Sequence, residues 1–218
     1  MRNRFDRELT ALHDLLIEMG TLSQKSIETA KDALLQQDRQ LARQVYEYER
    51  EVDEKEKEVE RRCLKLLLQQ QPVASDLRVI STALKIITDL ERISDQSCDI
   101  AELADRMADQ PYIKQLVDIP KMAEAVIKMV KESIDAFVTS DIDLAQRVVA
   151  QDDVVDDLFN QVKNDLIALI RKDANNGEQA VDLLMVAKYL ERIGDHATNV
   201  AEWVVFSITG EHKNERAL

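Results

Sequence analysis

The sequence LERISDQSCDIAE at residues 90–102 recurs as LERIGDHATNVAE at residues 190–202, with a constant offset of 100. Leu, Glu, Arg, Ile, Asp, Ala and Glu are identical in the two copies, so charged and apolar positions are both kept. Composition alone does not produce such a match, and the sequence therefore predicts an internal duplication. In each copy acidic residues are spaced four apart, which places their side chains on one face of an α-helix.

The duplication extends beyond this stretch to most of the chain. Asp38 and Leu41 correspond to Asp141 and Leu144 with an offset of 103. The same offset relates the valines Val45, Val52 and Val59 to the valines Val148, Val155 and Val162. The offset changes from 103 to 100 in a turn between two predicted helices, where insertions and deletions are tolerated. The two halves are therefore predicted to share one fold.

The composition and the apolar periodicity both indicate helices. The 218 residues include only four Gly and three Pro, and aromatic residues make up 4% of the chain. Apolar residues recur every three or four positions in six segments, three in each half. Pro111 and Pro120 mark a boundary between the halves. We predict an all-α protein of two tandem antiparallel three-helix bundles related by an internal repeat, at residues 1–110 and 111–218.

Turn-forming residues predict where the helices begin and end. Asp38 is expected to cap the second helix, and Ser75, which follows Pro72, is expected to cap the third. Thr139-Ser140-Asp141 is expected to end the fourth helix, and Asn175-Asn176-Gly177 to separate the fifth from the sixth. The polar tail at residues 211–218 is expected to fray.

The charge of the chain disfavours two classes of partner. The 42 acidic and 29 basic residues give a net charge of −13, which repels phosphate backbones and anionic lipid headgroups. No signal peptide and no apolar run of membrane-spanning length is visible, so we expect a soluble cytoplasmic protein. Cys63 and Cys98 are interpreted as buried, reduced thiols.

Four pairs of acidic residues occupy equivalent repeat positions. They are Glu49 and Asp53, Asp152 and Asp156, Glu91 and Asp95, and Glu191 and Asp195, and the last two pairs are extended by one turn with Asp99 and Asn199. Carboxylates at this spacing repel each other unless a cation or a basic partner neutralises them. An all-oxygen set of ligands suits hard cations such as Mg²⁺, Mn²⁺, Ca²⁺ or Fe³⁺. These ten residues are our candidate metal ligands.

The charged residues also allow other interpretations. Acidic pairs at helical spacing arise often by chance in so acidic a chain, and most of them are solvated. Glu91 and Glu191 are followed three residues later by Ser94 and Gly194, so the Glu-x-x-His motif of di-iron bundles is absent. His196 is expected to be a surface histidine, and Arg92 and Arg192 are expected to form salt bridges with neighbouring acids. No glycine-rich phosphate loop, nucleophile with a base, or Cys/His zinc spacing is present.

The sequence resembles the PhoU family of phosphate-transport regulators. The resemblance rests on the tandem three-helix repeat, the acidic pairs of each repeat, the pattern LERIGD-x-A-x-N at residues 190–199, and the turn QPVASDLR at residues 71–78. The first copy departs from the pattern, because it has Ser94 and Asp99 where the second has Gly194 and Asn199.

The resemblance implies a non-enzymatic regulator of phosphate homeostasis. Such a protein would connect the ATPase subunit of a phosphate ABC transporter to a sensor histidine kinase, and would reach the membrane only through these partners. It would repress phosphate-starvation genes and restrain phosphate uptake. The family also implies a homodimer and iron on the acidic motifs, with Mn, Mg, Ca or Zn as other possible metals. Two alternatives remain open: a metal-dependent hydrolase with a carboxylate-bridged cluster, and a structural helical adaptor with solvated acids.

Overall fold

The computed structural model describes residues 2–70, 73–212 and 215–216, with side chains described at residues 7–68 and 73–211. The six helices are α1 (Arg2–Gln36), α2 (Arg39–Gln70), α3 (Ala74–Met107), α4 (Asp118–Thr139), α5 (Ile142–Lys172) and α6 (Gly177–Thr209). A 3₁₀ turn at Ala174–Asn176 precedes α6, and the two-residue strands β1 (Glu211–His212) and β2 (Glu215–Arg216) pair antiparallel after it. The all-α prediction is confirmed.

The helices form two bundles that pack side by side. Helices α1, α2 and α3 pack against one another as the first bundle, and α4, α5 and α6 pack as the second bundle. Contacts of α3 with α6 and of α1 with α4 join the bundles, and one hydrophobic core runs through both. Among the described residues, α2 contacts only α1 and α3, and α5 contacts only α4, α6 and the turn before α6, so these two helices lie on opposite outer sides. The predicted layout of two three-helix bundles is confirmed, while a domain boundary at residue 110 stays a prediction.

The turns between the first two helices of each bundle are equivalent in detail. The Asp38 carboxylate accepts hydrogen bonds from the backbone N–H groups of Gln40 and Leu41, at 2.7 and 3.3 Å. The Asp141 carboxylate accepts one from Leu144 at 2.9 Å. The residues just before these caps, Gln37 and Ser140, both adopt φ of 54°, in the left-handed region. The predicted cap at Asp38 is confirmed, and the repeat extends to backbone conformation.

The start of α3 differs from the prediction. The helix begins at Ala74, and the Asp76 carboxylate accepts a hydrogen bond from the Val73 N–H at 3.4 Å. Ser75 lies inside the first turn, so its assignment as the cap is wrong. The Asp76 side chain satisfies the free N–H at the helix start instead, and its charge interacts favourably with the helix dipole. Gln71 and Pro72 lie outside the described residues. Residues 213–214 and 217–218 of the tail predicted to fray lie outside them as well, while the described residues Glu211–His212 pair with Glu215–Arg216.

The segment between the bundles is tied to both of them. The Tyr112 hydroxyl donates a hydrogen bond to the Leu34 carbonyl at the end of α1. The Gln179 amide at the start of α6 donates to the Pro111 carbonyl at 3.2 Å and accepts from the Ile113 N–H at 2.6 Å. Burial raises the pKa of Tyr112 to about 12, so its hydroxyl remains a donor at neutral pH.

The acidic pairs owe their position to the valine stripes of the two outer helices. The six equivalent valines of α2 and α5 are all buried, and their spacing of seven residues keeps them on one face of each helix. Because Val52 is buried, its neighbours Glu49 and Asp53 lie on the side of α2 that approaches α3. Because Val155 is buried, Asp152 and Asp156 lie on the side of α5 that approaches α6.

In the described part of the chain, no helix has the length and apolar character needed to cross a membrane.

Replacing Ser140 by glycine is expected to raise the free energy of unfolding by about 0.5–1 kcal/mol, because glycine adopts a positive φ without a Cβ penalty. The matched control is Thr139→Gly, one residue earlier and still inside α4, which is expected to lower the free energy of unfolding by a similar amount, about 0.5–1 kcal/mol. Urea denaturation followed by circular dichroism measures both. A Ser140→Gly protein less stable than its parent would contradict the assignment of strain to this turn.

Candidate functional site

The first acidic cluster consists of Glu49 and Asp53 on α2 and Glu91 and Asp95 on α3. The pKa of Glu49 is raised by burial and then by the charges of Asp53 and Asp95. The pKa of Glu91 is likewise raised by burial and then by Asp95, with a smaller contribution from Asp53. Because each pKa responds to carboxylates on the opposite helix, the structure brings the two predicted pairs together across the α2–α3 seam.

The second acidic cluster consists of Asp152 and Asp156 on α5 and Glu191 and Asp195 on α6. The pKa of Asp152 is raised by burial, then by Asp195 and Asp156. The pKa of Asp195 is raised by burial and then by Glu191. The helices approach closely here, since a Cβ added to Gly194 would lie 3.5 Å from Asp152 Oδ1. The equivalent pairs of the second repeat are thus also brought together.

Basic side chains lie at the edge of each cluster. The Arg92 guanidinium lies 3.4 Å from Glu91 Oε2 and 3.3 Å from Asp95 Oδ2, which confirms the salt bridge expected for Arg92. In the second cluster the Lys188 ammonium donates a hydrogen bond to Glu191. Both clusters therefore have a partial internal counter-charge, but different residues supply it.

The extending residues Asp99 and Asn199 lie toward the seam between the bundles. Asn199 Nδ2 donates to Asp89 Oδ1 at 3.4 Å, and His196 Nδ1 lies 2.9 Å from the same oxygen. The expectation that His196 is a surface histidine is wrong, because Asp89 of α3 holds it half-buried between α3 and α6. The repeat offered no signal for this contact, since Asp89 corresponds to Tyr189. The assignment of Asp99 and Asn199 as metal ligands stays a prediction.

A thiol that the sequence did not connect with the site lies beside the first cluster. Cys98 is half-buried and not buried as expected, and burial, followed by the charges of Glu49 and Asp95, raises its pKa to about 12. Cys63 is buried as expected, and its pKa is raised to about 12 mainly by burial. Both thiols therefore remain protonated at neutral pH. The comparison of the two repeats did not indicate a role for Cys98, because Thr198 occupies the equivalent position.

The chemistry of the donor set fits a hard cation, although the side chains are spread apart. All eight members of the two clusters are carboxylates, and the carboxylates with raised pKa are those that a nearby positive charge would stabilise. Among the described residues, no three His, Cys, Asp or Glu side chains are close enough to hold one metal ion as they stand. Binding would therefore require rotation of these partly exposed side chains about their χ angles.

A family model described as "PhoU domain" matches the chain twice, at residues 16–104 and at residues 119–204. The two starts differ by 119 − 16 = 103 residues and the two ends by 204 − 104 = 100 residues. These are the two offsets of the internal repeat, so each repeat corresponds to one domain of the family.

Individual relatives match over nearly the whole chain. A "Phosphate-specific transport system accessory protein PhoU homolog" from Clostridium acetobutylicum is 38% identical over 211 residues, which cover 96% of each chain. The crystal structure of PhoU from Pseudomonas aeruginosa superposes with a TM-score of 0.90 at 33% identity, covering 95% of this chain and 100% of that one. The crystal structure of the phosphate transport system regulatory protein PhoU from Streptococcus pneumoniae, at 24% identity, shares the fold with a TM-score of 0.84 over 95% of this chain and 98% of that one.

Replacing Asp152 by asparagine is expected to stabilise the metal-free protein at pH 7. The folded-state pKa of Asp152 lies above its usual value of 3.8, so ionisation destabilises the fold as the pH rises through that raised pKa. The gain is therefore present at pH 7 and disappears below about pH 4, where the carboxyl group is protonated in both states.

Urea denaturation at both pH values, after treatment with a chelator, measures this effect. The control is Asp157→Asn, which removes the same charge from an exposed position of α5 and is expected to change stability little. A loss of stability at pH 7, or an equal gain at pH 4, would contradict the repulsion described for the second cluster.

Proposed function

The chain belongs to the PhoU family, and on this premise we propose that it regulates phosphate homeostasis as a non-enzymatic accessory protein of a phosphate transport system. The observation that carries the proposal is the double match of the family's domain in the register of the internal repeat. The relatives that match over almost their full length carry names that state this accessory role. A role in the regulation of phosphate transport thus follows from full-length similarity rather than from a short motif.

The proposed action is negative regulation. The protein would act in the cytoplasm, bind the ATPase subunit of the phosphate ABC transporter and a sensor histidine kinase, and keep phosphate-starvation genes off when phosphate is plentiful. Its helical bundles suit this role, because α2 and α5 lie on opposite outer sides and, in the part of the chain that the structure describes, contact only their own bundles. These two helices would leave long faces for partners or for a second copy in a homodimer.

Metal binding at the acidic pairs is part of the proposal. The predicted ligands remain the ten residues of the acidic motifs, and iron is the metal proposed first, followed by Mn, Mg, Ca or Zn. A bound ion would supply positive charge where burial and mutual repulsion raise the pKa of Glu49, Glu91, Asp152 and Asp195. The carboxylates of α2 and α3, or of α5 and α6, would then be held together across their seam.

Among the described residues, the thiol and the histidine nearest the acidic clusters do not favour the alternative of a metal-dependent hydrolase. Cys98 lies beside the first cluster, but its pKa of about 12 keeps the thiol protonated and unreactive at neutral pH. The histidine next to Asp195, His196, is in turn hydrogen-bonded to Asp89 in the seam between the bundles.

Deletion of the gene in its native host is expected to switch on a phosphate-starvation reporter at high phosphate. Complementation with the intact gene is expected to restore repression, and the same strains grown without phosphate provide the fully induced reference. A reporter that stays repressed at high phosphate after deletion would overturn the proposed negative regulation.

Addition of metal to chelator-treated protein is expected to raise the midpoint of thermal unfolding. An ion that binds only the folded state stabilises it by about 2.7 kcal/mol at a concentration of 100 times its Kd. Differential scanning calorimetry with iron, Mn²⁺, Mg²⁺, Ca²⁺ and Zn²⁺ measures the shift, and circular dichroism confirms that the metal-free protein stays helical. Unchanged midpoints with all five metals would remove metal binding from the proposal.

A further inference from the structure

The end of the first bundle where α2 is followed by α3 combines exposed apolar side chains with basic ones. Leu64 and Leu68 lie near the end of α2, and Val73 and Leu77 lie at the start of α3. All four are exposed, and Leu68, at 84%, is the most exposed large apolar side chain among the described residues. We call residues 61–68 and 73–85 the α2–α3 tip. Large apolar side chains that are exposed together mark a surface for contact with another molecule.

The tip is basic although the chain as a whole is acidic. Residues 61–85 contain five basic residues and one acidic residue, so this stretch has a net charge of +4, whereas the whole chain has −13. The basic residues are Arg61, Arg62, Lys65, Arg78 and Lys85. The acidic residue is Asp76, whose carboxylate accepts a hydrogen bond from the N–H at the start of α3. The local charge therefore has the opposite sign to the net charge of the chain.

The equivalent end of the second bundle does not share this charge. Residues 164–185 correspond to residues 61–85 and contain two basic and four acidic residues, which give a net charge of −2. Arg78, for example, corresponds to Glu178. The basic character therefore belongs to the first bundle alone and is not a property of the repeat.

The apolar and basic side chains of α2 share one face of the helix. Successive residues of an α-helix are rotated by about 100°, so Arg61, Leu64, Lys65 and Leu68 lie within roughly 100° of one another. All four side chains are exposed, and Glu60 borders this face beside Leu64. A helix face that combines leucine with lysine and arginine is typical of segments that lie at the interface between lipid and water.

Neighbouring carboxylates reduce the positive charge of the tip without reversing it. Glu8 of α1 lies 3.4 Å from Arg62 and also 3.4 Å from Lys65. Together with Glu60 it leaves a net charge of +2. Asp53, in the first acidic cluster, lies a further two turns away, at about 12 Å from Arg61 along α2. This distance exceeds the Debye length of about 8 Å at physiological ionic strength, so the cluster is largely screened from a surface that contacts the tip.

The shape and charge of the tip favour one kind of partner. A symmetric contact with a second copy of the chain would bring two positive surfaces together. A bound peptide usually lies in a groove or along a sheet edge, whereas Leu68 projects into solvent from the end of a helix. An anionic lipid surface accepts projecting aliphatic side chains at its headgroup boundary and attracts lysine and arginine.

We propose that the α2–α3 tip docks onto the anionic surface of a lipid bilayer, with its leucine and valine side chains at the headgroup boundary and its basic side chains against the lipid phosphates. The net charge of −13 disfavours such a partner for the chain as a whole, but charges beyond the Debye length contribute little at the point of contact. The inference goes beyond the proposed function, because it gives the protein a contact with the membrane that needs no protein partner.

The test is binding of the full-length protein to lipid vesicles at physiological ionic strength. Vesicles of phosphatidylglycerol and phosphatidylcholine in equal parts are compared with vesicles of phosphatidylcholine alone, and co-sedimentation measures the bound fraction. The parent protein is expected to bind the anionic vesicles more tightly than the neutral ones. The binding is expected to weaken as salt is added, because part of it is electrostatic.

Two variants remove the apolar part of the contact. Leu68→Ser and Leu64→Ser are each expected to weaken binding to anionic vesicles by roughly tenfold, because an inserted leucine side chain is lost. The matched control is Ile167→Ser, at the position of the second repeat that corresponds to Leu64. Ile167 is 40% exposed and Leu64 is 48% exposed, and the control is expected to bind like the parent.

A double variant removes part of the basic charge. Each basic residue near an anionic surface strengthens binding by about fivefold, so Arg61→Gln with Lys65→Gln is expected to weaken binding by roughly 25-fold. The control is Arg171→Gln with Lys172→Gln, which removes two charges from exposed positions at the end of α5 and is expected to bind like the parent. Circular dichroism of each variant confirms the helical fold.

The outcomes separate this inference from the proposed function. Failure to bind anionic vesicles, equal binding to both kinds of vesicle, or an equal loss in the control variants would overturn the inference. A parent dimer that dissociates on Leu68→Ser, seen by analytical ultracentrifugation, would assign the tip to a second copy and would overturn it as well. The phosphate-starvation reporter tests the regulatory proposal independently, because it needs no vesicle binding as its readout.

Discussion

The close approach of α2 to α3, and of α5 to α6, is the constraint on which the rest of the structure depends. A stripe of valines spaced seven apart lies along each outer helix and is buried in the common core. Burial of these side chains is favourable by roughly 1.5–3 kcal/mol each, so the face of the helix that turns inward is strongly determined. The acidic residues that flank each stripe are then held at the seam whether or not their charges are compensated.

The acidic clusters are a consequence of this packing. Carboxylates at four-residue spacing repel only weakly on an isolated helix, but the packing places a second pair opposite the first and partly excludes water. The pKa values of Glu49 and Glu91 in the first bundle, and of Asp152 and Asp195 in the second, are all raised. Burial and repulsion between carboxylates therefore act in both repeats. The repeats differ in the basic residue that partly compensates this repulsion, which is Arg92 in the first bundle and Lys188 in the second.

Most predictions that rest on a local rule are confirmed, whereas the sequence carries no signal for a contact between residues on different helices. The cap at Asp38 and the acidic pairs follow from spacing within one helix, and the structure has them as predicted. Ser75 was mistaken for a cap, because the competing carboxylate of Asp76 is also local and satisfies the free N–H group. The contact between Asp89 and His196 was missed, since these residues are 107 positions apart and the repeat carries no matching pair.

The sequence by itself determined the number of helices, the internal duplication, the inward face of each helix and the candidate ligands. Each of these follows from periodicity along one helix or from the comparison of one repeat with the other. Only the tertiary structure decided which charges meet between helices: the acidic pair of α2 with that of α3, the acidic pair of α5 with that of α6, and His196 with Asp89 between the bundles. An amphipathic pattern specifies which face of a helix is buried, but the rotation and offset of the neighbouring helix select the side chains it contacts.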